Sequence, residues 1–179
     1  MKASQTRRSS LVVRALSSAA TRGVLTLGGW SAPCALGRSG RRAIKREGDG
    51  ATPIGRWELR TVHFRADRGR RPRTSLPVQA LRRDDGWCDA ACDRNYNRHV
   101  RHPYPASAEQ LWRDDGVYDV IVTTSHNVRP RLRGGGSAIF MHLARPGFAP
   151  TAGCVALTLR DLRHLLAVLP ARAVLVVPA

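Results

Sequence analysis

Glycine and proline cut this chain into short pieces. Sixteen glycines and eleven prolines are spread through 179 residues, and between them only short extended runs and little helix can form. Leu11-Val12-Val13, within a first strand over Ser10–Leu16, and Gly23–Gly29 read as two strands joined by a small-residue turn. Trp57–Phe64 alternates apolar and polar positions with one irregularity, and Leu76-Pro77-Val78 reads as an edge strand because proline cannot donate to a ladder. Val117–Thr123, Ser137–Leu143 and Ala173–Val177 complete the strands. Two helices are expected. A short one follows the cap-like Ser107-Ala108-Glu109-Gln110 through Trp112. The longer one starts at Thr158 and sets Leu159, Leu162, Leu165, Leu166 and Leu169 at three- and four-residue spacing until Pro170 stops it. The chain therefore reads as mostly β, a β-rich α+β domain over residues 10–179, preceded by a basic tail over 1–9.

Composition excludes several classes. Hydrophobic residues make up 42%, enough for a globular core, but no apolar run reaches the roughly 20 residues that span a bilayer. Lysine and arginine number 30 against 13 acids, a net charge of +17. Such a surface draws polyanions, nucleic acid and cell-wall polymer among them. The arginines are dispersed over five stretches, not gathered in one basic tail, so no specific nucleic-acid partner is read. Four cysteines are too few for a disulfide framework in a chain this long. Cys88 and Cys92 could pair, or join His99, but they lack the four-ligand spacing of a zinc site. No metal and no cofactor is expected. Ala35–Gly55 is rich in glycine without the Lys-Ser/Thr end of a phosphate loop. At the start of the chain Thr6-Arg7-Arg8-Ser9 faintly resembles a twin-arginine export signal, but Arg14 and Arg22 interrupt what should be an apolar region and no cleavage site follows.

One spacing carries chemistry. His142 ends an expected strand, and Cys154 follows a loop containing Pro146, Gly147 and Pro150. Strand end and turn can fold back so that imidazole and thiol meet, the imidazole taking the thiol proton. Gly153 would let the backbone approach closely, and the amides around Gly153 and Cys154 could point at an oxyanion. The same residues also fit a bland reading: cysteine in Gly-Cys-Val-Ala-Leu as a small buried hydrophobe, with a structural histidine nearby.

Gly136-Ser137-Ala138-Ile139-Phe140-Met141-His142, followed by Pro150-Thr151-Ala152-Gly153-Cys154-Val155-Ala156-Leu157, resembles the catalytic domain of the L,D-transpeptidases of bacterial cell walls. It is most similar to a short, single-domain proteobacterial branch. Lys45-Arg46-Glu47-Gly48-Asp49-Gly50-Ala51-Thr52-Pro53 resembles a loop of that family, and Gly86-Trp87-Cys88-Asp89, Asn95-Tyr96-Asn97-Arg98 and Tyr118-Asp119-Val120 resemble the branch. The resemblance implies a β-sandwich or barrel whose cysteine attacks the peptide bond after a meso-diamino acid in a tetrapeptide stem. Cys154 then matches the nucleophile and His142 the general base and acid. Gly153 matches the turn that supplies oxyanion amides, and Thr151 stands where the family usually has serine and would orient that turn. Two positions depart from the pattern. Leu143 follows the histidine where glycine is common, and Ala156 stands where arginine is common. Arg145 and Arg98 become the candidates for binding the substrate carboxylate.

Three functions compete at this stage. The first is a peptidoglycan L,D-transpeptidase with stem peptides as its partners. The second uses the same cysteine and histidine for hydrolysis, as an L,D-carboxypeptidase or wall amidase. The third is a basic binding module for wall polymer or nucleic acid. The resemblance places the substrate in the periplasm or cell envelope, whereas the lack of a convincing signal peptide leads to the expectation of a cytoplasmic protein if the start is correct.

Overall fold

The computed structural model describes residues 10–179; the expected basic tail over 1–9 and the Thr6–Ser9 motif lie outside them. Strands β1 (Ser10–Arg14), β2 (Arg22–Leu27) and β3 (Trp30–Ala35) form an antiparallel meander. Two short strands, β4 (Arg41–Arg42) and β5 (Thr52–Pro53), pair with each other. The long β6 (Gly55–Phe64) is followed by β7 (Val78–Ala80), which lies at the sheet margin as Pro77 requires. Strands β8 (Asp85–Cys88), β9 (His99–Arg101) and β10 (Ala108–Gln110) make a separate small sheet in the order β10-β8-β9. Then come β11 (Val120–Thr124), β12 (Phe140–Leu143), β13 (Val155–Leu157), helix α1 (Leu159–Val168) and β14 (Val174–Val177).

The large sheet runs β11-β12-β13-β3-β2-β1-β14-β6-β7, and β11 also pairs with β6. That last pairing closes the sheet on itself, barrel-fashion, and leaves few edge groups to satisfy. The irregularity read in β6 is real: its register against β11 shifts between Val122 and Thr124. Inside the barrel, Leu11, Leu25, Val62, Met141, Val155 and Leu157 meet Leu162, Leu165 and Leu166 of α1, all fully buried. Helix α1 begins where its cap dictates, with the Asp161 amide donating to Thr158 Oγ1 at 3.1 Å.

The expected helix over 107–112 is absent, and this is a correction. Ala108, Glu109 and Gln110 pair instead with Cys88, Trp87 and Gly86. A single capping pattern over so short a segment cannot outweigh ladder hydrogen bonds to a neighbouring strand. Within the segment read as an ordered loop, β8 and β9 are formed for the same reason. The strand expected from Ser137 begins only at Phe140, because Ala138 has a left-handed φ of 50° and its amide donates to Asn97 Oδ1 at 3.2 Å. All four cysteines are free, so Cys88 and Cys92 form no bridge.

Candidate active site

The parallel pair β12–β13 places the two central residues. Its register sets Met141 against Val155, His142 against Ala156 and Leu143 against Leu157. Side chains alternate along a strand, so Met141, Val155 and Leu157 fill the barrel. Phe140, His142 and Cys154 face the other way, with Phe140 and Cys154 in a second, smaller apolar cluster that includes Tyr118, Leu81 and Leu111. His142 and Cys154 line one cavity of about 340 Å³, together with Arg145 and Thr151. Arg98 is not there. It lines a separate depression with His63, Trp87 and His99.

The cysteine turn is held from three sides. Thr151 Oγ1 accepts the Gly153 amide at 3.1 Å and donates to the Cys154 carbonyl at 2.7 Å. The Thr151 amide donates to the Leu36 carbonyl at 2.9 Å, and the Arg38 amide returns a bond to the Thr151 carbonyl at 2.8 Å. Gly153 has φ +135°, and a Cβ there would lie 2.7 Å from the Ala51 carbonyl oxygen. Only glycine fits that approach. The Lys45–Pro53 motif forms this backing: Thr52 Oγ1 accepts the Gly37 amide at 2.8 Å, while Lys45 pairs with Asp49.

The imidazole is oriented by the chain itself. Nδ1 lies 2.9 Å from the Leu143 carbonyl oxygen. A carbonyl only accepts, so Nδ1 carries the proton and Nε2 keeps its lone pair. The Tyr118 ring stands nearly perpendicular to the imidazole at 5.3 Å. Burial pushes the His142 pKa down to about 4, more than the Leu143 carbonyl raises it, with Arg145 and Arg113 adding to the fall. Burial also pushes the Cys154 thiol up to about 12, against a lowering by the Phe140 amide. Both groups are therefore uncharged at neutral pH. At rest the Cys154 thiol donates to the Ala138 carbonyl at 3.1 Å and accepts the Phe140 amide at 3.3 Å; its hydrogen-bond partners are backbone groups, not the imidazole. The cavity thus holds a protonated thiol and a neutral imidazole.

Three residues of this site carried no role in the sequence reading. Asn97 accepts from Trp87 Nε1 at 2.9 Å and from the Ala138 amide, and donates to the His126 and Asn127 carbonyls. It fixes the carbonyl that holds the thiol proton. Glu109 and Tyr118 meet in the cavity wall, the phenol donating to Glu109 Oε1 at 2.6 Å. Asn97 and Tyr118 were signalled by the Asn95–Arg98 and Tyr118–Val120 motifs, which assign them no role, and nothing in the sequence separated Glu109 from the cap-like Ser107–Gln110.

The geometry can be set against known proteins. The family model of the YkuD L,D-transpeptidase catalytic domain matches residues 18–177, nearly the whole described chain. The chain belongs to the YkuD family. No curated protein and no solved structure matches it. Membership in the YkuD family agrees with the closed, mostly β architecture and ties the chain to peptidoglycan, the polymer on which the family acts. The family is typically one of the cell envelope. No helix among the described residues is long and apolar enough to cross a membrane.

Proposed function

We propose that this YkuD domain is an L,D-transpeptidase that transfers an acyl group from a peptidoglycan tetrapeptide stem through a thioester on Cys154. The observation carrying this reading is the pairing, in one cavity, of Cys154 with a histidine whose Nδ1 is tied to a carbonyl. The donor carbonyl enters beside Sγ, the thiol proton passes to His142 Nε2, and the sulfur adds to the carbonyl carbon. The Gly153 amide is engaged by Thr151, so we assign the oxyanion to the Cys154 amide, with Gly153 giving the turn its shape. Collapse of the tetrahedral adduct expels the terminal amino acid as an amine, which takes the proton back from His142. The amine of a second stem then attacks the thioester and loses its proton to His142, the C–S bond breaks, and His142 returns that proton to the departing Cys154 sulfur.

Arg145 lines the cavity and is half exposed, which suits it to bind a substrate carboxylate; Arg98, in its separate depression, is dropped from that role. Ala156 is fully buried beside His142, so the arginine common in the family has no counterpart there. With peptidoglycan as substrate, we place the working protein in the periplasm.

Incubation with tetrapeptide muropeptides, followed by mass spectrometry, tests the reading. Cross-linked dimers that vanish in Cys154→Ala are the expected products. Shortened monomers without dimers would assign the same cysteine to hydrolysis, as an L,D-carboxypeptidase, and an unchanged substrate would overturn both.

A further inference from the structure

The depression that holds Arg98 has a volume of about 400 Å³ and takes its walls from both sheets. Alternation builds one wall. Val62 and Phe64 of β6 point into the barrel core, so His63 between them points outward, into the depression. The other wall is Trp87 of β8 and His99 of β9, with Val128 beside them. Arg60, Arg98, His63 and His99 line the space, and no Asp or Glu does among the described residues. Asp85, which lies 2.9 Å from His99 Nε2, is already engaged: it also sits 3.6 Å from Arg101 and accepts the Arg82 amide at 2.8 Å. Neither Arg60 nor Arg98 has a side-chain hydrogen bond or ion pair among the described residues. His63 is only 7% exposed, and its ring has no hydrogen-bond partner among them either.

We propose that this depression binds a small organic oxyanion, a carboxylate or phosphate carried on an apolar body, at a site separate from the catalytic cavity. A buried imidazole without a partner carries a desolvation cost that a bound acceptor relieves. Burial holds the His63 pKa below its ordinary value, with His99 adding to the fall and Asp85 opposing it; the neutral ring still offers one N–H. The two exposed guanidinium groups supply fixed charge, and their planar forks match the paired oxygens of a carboxylate or phosphate. Trp87 and Val128 give the rest of the ligand an apolar surface, and the volume suits a small molecule better than a bare ion. The imidazoles and Asp85 do not make a metal site, since no group of three or more His, Cys, Asp or Glu among the described residues could hold a metal ion. No residue lines both this depression and the catalytic cavity. Trp87 lies between them, its indole N–H donating to Asn97 and its ring packing on Phe140.

The test titrates wild-type protein with phenyl phosphate, benzoate and inorganic phosphate, followed by calorimetry and by the indole N–H signals of its four tryptophans. Phenyl phosphate or benzoate should bind saturably, one per chain, and the tighter of the two names the acid group. Inorganic phosphate should bind more weakly than that probe, because it leaves the apolar wall uncovered. Binding should move the Trp87 signal, assigned with Trp87→Phe. The signal of Trp112, which packs under Arg65 and Arg83 in another part of the surface, should stay in place. Arg60→Gln and Arg98→Gln should each weaken binding about tenfold, the scale of one charge-assisted hydrogen bond, and His63→Phe should weaken it too. Both arginines are exposed, so they test the site even where His63→Phe fails to fold. Arg145→Gln, in the catalytic cavity, should leave the affinity unchanged. The proposal is overturned by no saturable binding, by inorganic phosphate binding as tightly as the organic probes, or by a shift at Trp112 in place of Trp87. Affinity that survives loss of both Arg60 and Arg98, or that is lost with Arg145→Gln alone, overturns it equally.

Discussion

At the scale of the residue, one physical cause sets the resting state of both central groups. Burial disfavours charge, so Cys154 stays a thiol and His142 a free base. Two outcomes follow. Alkylation by iodoacetamide at pH 7, read cysteine by cysteine by peptide mapping, should label exposed Cys92 well before Cys154; a Cys154 that labels first would mean a preformed thiolate. The second concerns stability. An unfolded chain protonates its histidine below about 6.5, whereas folded His142 stays neutral down to about 4. The unfolded state thus holds more protons in that window, and stability falls as pH drops through it, by up to roughly 1.4 kcal/mol per unit for this one group. His63 and His126 are shifted the same way by burial. Chemical denaturation of His142→Gln at pH 7 and pH 4.5 should therefore show a smaller acid loss than wild type, not its abolition. Thr151 makes a third case. Thr151→Ser keeps both hydrogen bonds of the turn and should retain activity. Thr151→Ala leaves the Gly153 amide unpaired and should lose about 1–3 kcal/mol of stability, together with most of the turnover.

At the scale of the element, the legible parts were those whose pattern is local. The leucine spacing and Thr158 cap gave α1 to within a residue of its ends, and Thr158→Ala should cost about 1 kcal/mol in a denaturant titration. Alternation gave β6, and the apolar runs within Ser137–Leu143 and Ala173–Val177 gave β12 and β14. What failed was decided by distant partners. Ala108–Gln110 became a strand because Gly86–Cys88 lies alongside, and no local propensity reports that. Trp30–Ala35 hides a strand behind Pro33, where a six-residue ladder with β2 overrides the proline. Asn97 is the sharpest instance at the site. In sequence it is a member of the Asn95–Arg98 motif with no role of its own, and its four bonds to Trp87, Ala138, His126 and Asn127 exist only in the fold. Asn97→Ala should lower the rate of acyl-enzyme formation at unchanged protein fold, measured by circular dichroism beside single-turnover assays.

At the scale of the whole molecule, a net charge of +17 surrounds a cavity in which Lys45, Arg113 and Arg145 are paired with acids and Arg38 is not. Dispersed arginine gives the molecule a long-range field that attracts polyanions. Binding to anionic wall polymer should survive Cys154→Ala and weaken between about 0.1 and 1 M salt, as the screening length falls from roughly 10 to 3 Å; turnover of a small soluble muropeptide should change far less. The central claim, however, is covalent. Wild-type protein mixed with a tetrapeptide muropeptide and quenched in acid should show, by intact-protein mass spectrometry, a mass gain equal to the donor minus its terminal amino acid. Peptide mapping should place it on Cys154, and His142→Gln should abolish it. A protein that processes the muropeptide with no adduct on Cys154, or with full activity in Cys154→Ala, would contradict the account.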